Sequence, residues 1–243
     1  MNGLHLNRNN SLPQLVGDIM STFTFNGVSS DTLGLIVTKT PVPPCQQEMY
    51  ETIYIPGGNT VHNLKKYRQN VSILIETTVI EPDRLRDIYS TFQGTGKLIL
   101  SNEPDKYYKA VCRPLSPQNI ALYMNSIAFE FECEPFAYSV NNEPVEYTSH
   151  EIWLTNSGTY YCQPIYKLHG NGNLTLVVNN DINNTFTVYD VDEYVTVDAE
   201  KLLVHKNGTF LKSKGKLPFL NIGDNRIQTN ASKIEITKNE RWI

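Results

Sequence analysis

The stretch Phe129-Glu130-Phe131-Glu132-Cys133-Glu134 decides the fold class of this 243-residue chain, because apolar and acidic side chains alternate along it. Successive side chains of a β-strand point to opposite faces of the sheet, so a period of two predicts one buried face and one face in water. Cys133 takes the place of a small core residue in this pattern. We therefore expect a strand within Asn119–Glu134 and a mainly β protein.

Two upstream stretches also show strand patterns. Val71–Ile80 is rich in β-branched residues and almost continuously apolar, which indicates a central strand. Met49–Ile55 alternates along its length, and Pro56-Gly57-Gly58 ends it with a turn signal.

One helix is predicted at about residues 82–93. Leu85, Ile88, Tyr89 and Phe92 recur at the spacing of one helical face, with Pro82 at the first turn. Gly94 follows the last periodic residue, as a helix stop does. A stripe of about three turns is too short to be stable alone, so we expect this helix to dock on an antiparallel sandwich.

A break in the strand pattern divides the chain into two units. Two prolines and an asparagine pair interrupt the pattern between Glu134 and Pro144, and we place a linker at residues 135–146. The first unit then covers residues 20–134, and the second covers residues 147–243. Residues 1–19 carry no steady periodicity, and we expect a flexible arm or extension there.

The second unit consists of short strands separated by turn clusters rich in glycine and asparagine. Such spacing predicts a β-sandwich or jelly roll. The expected strands include Leu174–Val178, Thr185–Tyr189, Tyr194–Val197, Lys201–His205 and Lys233–Thr237.

Composition excludes several classes of protein. No apolar run approaches the ~18 residues that a membrane helix needs, and we expect no membrane insertion. The first ten residues contain no apolar core of signal-peptide length, so we expect synthesis in a cytoplasm. A net charge of -4 without basic blocks argues against specific nucleic-acid binding, which phosphate neutralisation drives.

No catalytic motif stands out, and we expect neither an enzyme nor a cofactor. Gly94-Thr95-Gly96-Lys97 follows the predicted helix and precedes a strand, the reverse of the order that puts a helix N-terminus on a phosphate. The five histidines stand apart, and the four cysteines show no Cys-x-x-Cys spacing, so we expect no metal site.

Two groups of side chains are candidates for binding. Trp153, Tyr160, Tyr161 and Tyr166 open the second unit, where exposed aromatic rings can stack on sugars; the alternative is that half of them face the core. Lys65-Lys66-Tyr67-Arg68 loosely resembles a nucleic-acid patch, but in an acidic protein a solvated loop or a subunit contact is favoured.

The chain resembles the distal tail protein (Dit) family of siphophages that infect Gram-positive bacteria. The most specific similarity covers Leu85–Ala110, including Phe92-Gln93-Gly94-Thr95-Gly96-Lys97-Leu98 and Ser101–Ala110. Phe23–Val37 resembles the family's start and Phe131–Phe136 its domain junction. Asn221–Ile227 and Arg241-Trp242 resemble its closing segment. Residues 1–19 lie outside the pattern, and Gly58 stands where relatives usually carry arginine.

The resemblance implies a structural virion protein with a tail-tube-like first domain that forms a hexameric ring and a galectin-like second domain. The ring would join the tail tube protein to the tail-associated lysin or fibre protein and to receptor-binding components, at the tail tip of a virion assembled in the host cytoplasm. DNA would pass through the ring without specific binding. Candidate ring contacts are Gly57, Gly58, Lys65, Lys66 and Arg68. The alternative function is a carbohydrate-binding module for cell-wall sugars.

Overall fold

A computed structural model describes residues 21–54, 57, 61–79, 82–121, 124–181 and 185–243. The predicted arm at residues 1–19 lies outside these ranges, as does Gly58. The strands up to the junction are β1 (Phe23–Phe25), β2 (Val28–Ser29), β3 (Leu35–Val37), β4 (Glu48–Tyr54), β5 (Val61–Arg68), β6 (Val71–Val79), β7 (Gly94–Leu100), β8 (Lys106–Pro114), β9 (Gln118–Ala121) and β10 (Met124–Ser139). Those that follow are β11 (Val145–Tyr147), β12 (Glu151–Asn156), β13 (Ile165–His169), β14 (Gly172–Val178), β15 (Phe186–Val191), β16 (Tyr194–Asp198), β17 (Leu203–Lys206), β18 (Thr209–Phe210), β19 (Ser213–Lys214), β20 (Gly223–Thr229), β21 (Lys233–Thr237) and β22 (Arg241–Trp242).

The first unit is an antiparallel sheet in the order β2-β1-β7-β8-β10-β6-β3, with β9 and β22 also paired to β10. Strand β10 confirms the alternation, since Phe129, Phe131 and Cys133 are fully buried while the glutamates between them face outward. Strand β6 is central, as predicted, because it lies between β10 and β3. The predicted sandwich of this unit differs in one respect: all strands around its core belong to one sheet, and the helix covers the inner face.

The predicted helix is confirmed as α1 (Leu85–Thr91), preceded by a 3-10 turn at Pro82–Arg84. Ile88 and Phe92 are fully buried against the sheet, and Leu85 and Tyr89 pack against the same core. The Phe92 ring lies 5.1 Å from that of Phe23 and 5.5 Å from that of Phe129, between centroids. Tertiary packing therefore supplies the stability that so short a helix lacks alone.

The second unit is the predicted β-sandwich. One sheet runs β11-β21-β13-β16-β17-β18 and the other β12-β20-β14-β15-β19. A single apolar core fills the space between them, and it includes Tyr166, Leu168, Val197 and Ile234, all fully buried. The mainly β fold with one short helix is thus confirmed.

Strands β4 and β5 form a two-stranded hairpin separate from both units. Nearly every residue in it is exposed, including large apolar and aromatic ones: Met49, Tyr50, Ile53, Tyr54, Val61, Leu64 and Tyr67. Gly57 lies in the connection between the strands with φ +81, a backbone conformation that favours glycine.

The junction between the units differs from a simple linker. Strand β10 continues to Ser139, and its register with β8 shifts between Cys133 and Ala137, a bulge that accommodates Pro135 within the strand. Strand β22 then returns from the end of the chain to pair with β10. Gly158 lies against this returning strand, where a Cβ atom would meet the Arg241 carbonyl oxygen at 2.3 Å. The two units are therefore joined at two points of the sequence.

Candidate functional site

The fold brings the basic end of the hairpin onto the first aromatic residues of the second unit. The Arg68 guanidinium lies over the Tyr160 ring at 4.9 Å from its centroid, and the Lys65 ammonium lies at 5.9 Å. A cation over an aromatic face is attracted by the ring quadrupole. Two groups predicted separately from the sequence, basic residues and aromatic ones, thus meet in one place.

A row of aromatic rings extends from this contact. Phe136 lies 5.0 Å from Tyr160, Tyr160 lies 4.5 Å from Tyr161, and Tyr161 lies 5.6 Å from Phe219, all between ring centroids. Each ring is partly exposed, and Tyr161 most clearly, at 37%. The row joins strand β10 of the first unit to the second unit.

Arg241 of β22 holds the centre of this row. Its guanidinium lies 4.6 Å from the Phe136 centroid, 5.5 Å from that of Tyr160 and 4.9 Å from that of Tyr161. It donates to the Tyr161 carbonyl oxygen from Nε at 3.2 Å and Nη2 at 2.7 Å, and to Gln163 Oε1 from Nη1 at 2.9 Å. Only 6% of the residue is exposed. Arg241 therefore ties the returning strand to the second unit.

Ion pairs order the base of the hairpin. Glu48 accepts hydrogen bonds from Lys65 and from the Tyr50 hydroxyl, each at 2.5 Å, and it pairs with Arg68. The hydrogen bonds from Lys65 and Tyr50, with the charge of Arg68, lower the pKa of Glu48 to about 2. Lys66 pairs with Glu51. The Glu48 carboxylate is therefore ionised at neutral pH and neutralises part of the positive charge of Lys65 and Arg68.

The other predicted aromatic residues lie elsewhere. Trp153 is 66% exposed on β12, where it is paired in register with Arg226 of β20. Tyr166 is fully buried in the core of the sandwich, and this burial raises the pKa of its hydroxyl well above the usual value. Tyr166 is thus unavailable to a ligand at the surface, because its strand places it on the inward face together with Leu168.

The sequence does not single out three residues that lie in or against the aromatic row: Phe136, Phe219 and Arg241. Phe136 follows Pro135 and lies in the stretch that the sequence predicts to be a linker. Arg241 lies more than a hundred residues from β10, and no local pattern signals a strand that returns over such a distance. The sequence feature that could have indicated Phe136 and Phe219 is the proline that precedes each of them, in Pro135-Phe136 and Pro218-Phe219.

A second contact between the units lies on strand β8. Lys109 pairs with Glu200 of the second unit, and its ammonium lies 4.3 Å from the centroid of the Tyr138 ring. Together with Arg241, this contact fixes the second unit against the first at two separate places.

The described ranges contain no group of three or more His, Cys, Asp or Glu side chains placed to hold a metal ion. Within the same part of the chain, none of the helices has the length and apolar character needed to cross a membrane.

The fold is similar to that of the Dit protein (gp 19.1) of phage SPP1, a hub of the adsorption apparatus in phages that infect Gram-positive bacteria. The TM-score is 0.73 at 10% sequence identity, over 92% of this chain and 99% of that one. Two structures of the phage p2 baseplate in its activated conformation, one with Sr and one with Ca, each contain a chain that matches with a TM-score of 0.42 at 9% identity. The match covers 89% of this chain and 96% of the baseplate chain. No family model and no curated protein matches the sequence. The resemblance to distal tail proteins is thus confirmed at the level of the fold.

Proposed function

We propose that this chain is a structural hub protein at the tail tip of a phage or prophage of Gram-positive bacteria, acting by assembly and without catalysis. The observation that carries the proposal is the likeness to the SPP1 Dit protein, which extends over 92% of this chain and 99% of that one. Because the match includes both units, it supports a role that uses the whole chain.

In this proposal six copies close into a ring. A closed ring needs head-to-tail contacts, in which one surface of a subunit meets a different surface of the next. The hairpin β4–β5 is suited to such a contact, because an isolated two-stranded hairpin is marginally stable in water and this one exposes apolar side chains along its length. Gly57, Lys65, Lys66 and Arg68 lie in or beside the hairpin connection and strand β5, and Gly58 belongs to the same proposed contact.

The proposed partners are the tail tube protein on one side and a tail-associated lysin or fibre protein on the other, with receptor-binding components. DNA would pass through the ring. Glu76 and Glu130 on the outward face of the first sheet would suit that passage, because carboxylates repel phosphate, whereas Glu132 on the same face is paired with Arg113.

The ring is tested by mass photometry and light scattering of the purified chain over a range of concentrations. We expect hexamers at high concentration. We also expect the double variant Ile53→Glu/Leu64→Glu to remain monomeric, because each residue is more than 40% exposed on the hairpin and a charge there would be buried by the contact.

Ile222→Glu is the matched control, since Ile222 is 61% exposed in a turn of the second unit. It should assemble as the unmodified chain does. A chain that stays monomeric at every concentration and salt concentration would contradict the ring. If the hairpin variant formed hexamers, the hairpin would not be the ring contact.

Trp153 supports a second candidate function, binding of neutral cell-wall sugars by the sandwich. Its exposed ring neighbours Arg226, which donates to both carboxylate oxygens of Glu151, at 2.8 and 2.7 Å. A flat ring beside a fixed set of donors and acceptors is the kind of surface that binds a sugar.

A glycan array tests this second function. We expect the chain to bind neutral oligosaccharides and the Trp153→Ala variant to lose that binding. Phe210→Ala is the control: it removes another exposed aromatic ring of the sandwich and should bind as the unmodified chain does. Absence of binding by the folded chain would rule out the sugar site at Trp153.

A further inference from the structure

A pocket of about 350 Å³ lies between the hairpin and the second unit, at the aromatic row. Four cationic side chains line it: Lys65, Lys66, Arg68 and Arg241. Phe136, Tyr160 and Tyr161 supply ring faces to the same pocket. It therefore combines concentrated positive charge with flat apolar surface.

The pocket has more cationic side chains than carboxylates that pair with them. Glu48 is shared by Lys65 and Arg68, and Glu51 pairs with Lys66. Arg241 forms no ion pair with a carboxylate in the described residues, although it is only 6% exposed; its partners are a carbonyl, an amide and three rings. Four cations thus share two carboxylates. A buried charge without a counter-ion costs free energy, which an anion in the pocket would recover.

Arg68 adds an independent indication of a ligand. Its side chain is 10% exposed, and its Nε is buried without a hydrogen-bond partner. Buried donors in folded proteins are nearly always satisfied, so the unpaired Nε shows that the Arg68 guanidinium, which lines the pocket, has hydrogen-bonding capacity that its contact with Glu48 does not use.

We infer that this pocket binds the phosphate group of a phosphorylated sugar or polyol. A phosphate monoester carries about −1.5 to −2 charge at pH 7, which matches two cations in excess better than one carboxylate does. Guanidinium groups bind such oxyanions through paired N–H donors. The ring faces of Phe136, Tyr160 and Tyr161 would hold the carbon skeleton of the ligand. This role goes beyond assembly, and it shares Lys65, Lys66 and Arg68 with the proposed ring contact.

Isothermal titration of the full chain at low salt tests the site with glycerol 3-phosphate, glucose 6-phosphate, unmodified glucose and a hexaglutamate peptide as probes. Both phosphorylated probes should bind, and glucose should not. The variant Lys65→Gln/Lys66→Gln should weaken that binding about tenfold or more, equivalent to about 1.4 kcal/mol. Both lysine side chains are about half exposed, at 45% and 50%, so this variant should fold.

Lys39→Gln/Lys216→Gln is the matched control, since it removes the same charge at exposed positions outside the pocket and should leave the affinity unchanged. Failure of both phosphorylated probes to bind at about 10 mM would overturn the inference. Tighter binding of hexaglutamate would also overturn it, in favour of an acidic protein segment. If both variants weakened phosphate binding equally, the overall charge of the chain would explain the binding, and the proposed site would be overturned. Lys65 and Lys66 are also candidates for the ring contact, so mass photometry of the same samples distinguishes loss of ligand binding from loss of the ring.

Discussion

Phe92→Ala is expected to lower the free energy of unfolding by about 3–5 kcal/mol. Phe92 is fully buried at the end of α1, where its ring contacts those of Phe23 and Phe129. The smaller side chain leaves a cavity that neighbouring rings cannot fill, because each is held by its own strand. Urea denaturation followed by circular dichroism measures the change.

Leu74→Ala is the control for this prediction. Leu74 lies on β6 of the same sheet, but it is 53% exposed on the outer face, so its truncation should change stability by no more than about 0.5 kcal/mol. A loss below about 1 kcal/mol for Phe92→Ala would show that the helix does not dock through this residue.

Arg241→Ala is expected to lower the free energy of unfolding by about 2–3 kcal/mol. The change removes charge-assisted hydrogen bonds to the Tyr161 carbonyl oxygen and to Gln163, and it removes the cation from three aromatic rings. It should also loosen the junction. Amide hydrogen exchange would report this as faster exchange at Tyr160, whose N–H donates to the Arg241 carbonyl oxygen at 3.2 Å.

Arg113→Ala is the matched control, because that arginine pairs with Glu132 on the exposed face and its side chain is 57% exposed. Exposed ion pairs contribute about 0–1 kcal/mol. If the two variants were equally stable, or if exchange at Tyr160 did not change in Arg241→Ala, the returning strand would not be what holds the units together.

The position of Arg241 explains how the second unit can be carried by the first. A connection through residues 139–145 alone would leave a single point of attachment, about which two units can turn. Pairing of β22 with β10 adds a second, and Lys109 with Glu200 adds a contact on another strand. The hub proposed above needs such a fixed arrangement, since partners at the two ends of a ring must keep their spacing.

Local patterns in the sequence determined the main elements of this protein. The alternation at Phe129–Glu134 gave the strand and its buried face, and the spacing of Leu85, Ile88 and Phe92 gave the helix and its docking face. Both succeed because the geometry of a strand or a helix fixes which neighbours in sequence share a face. The alternation of a strand also predicts that Tyr166 is buried. Tyr166 and Leu168 are two residues apart in β13, so they share the inward face, and Lys167 between them points outward.

Only the tertiary structure decided where the binding candidates meet. These residues come from four separate segments. They are Lys65 and Arg68 on the hairpin, Phe136 on β10, Tyr160 and Tyr161 after β12, and Arg241 on β22. Nothing in the local periodicity of any of these segments specifies the others as neighbours. Their meeting depends on β22 crossing back to β10, a pairing between residues about a hundred positions apart, and such long-range pairings are set by the packing of whole sheets.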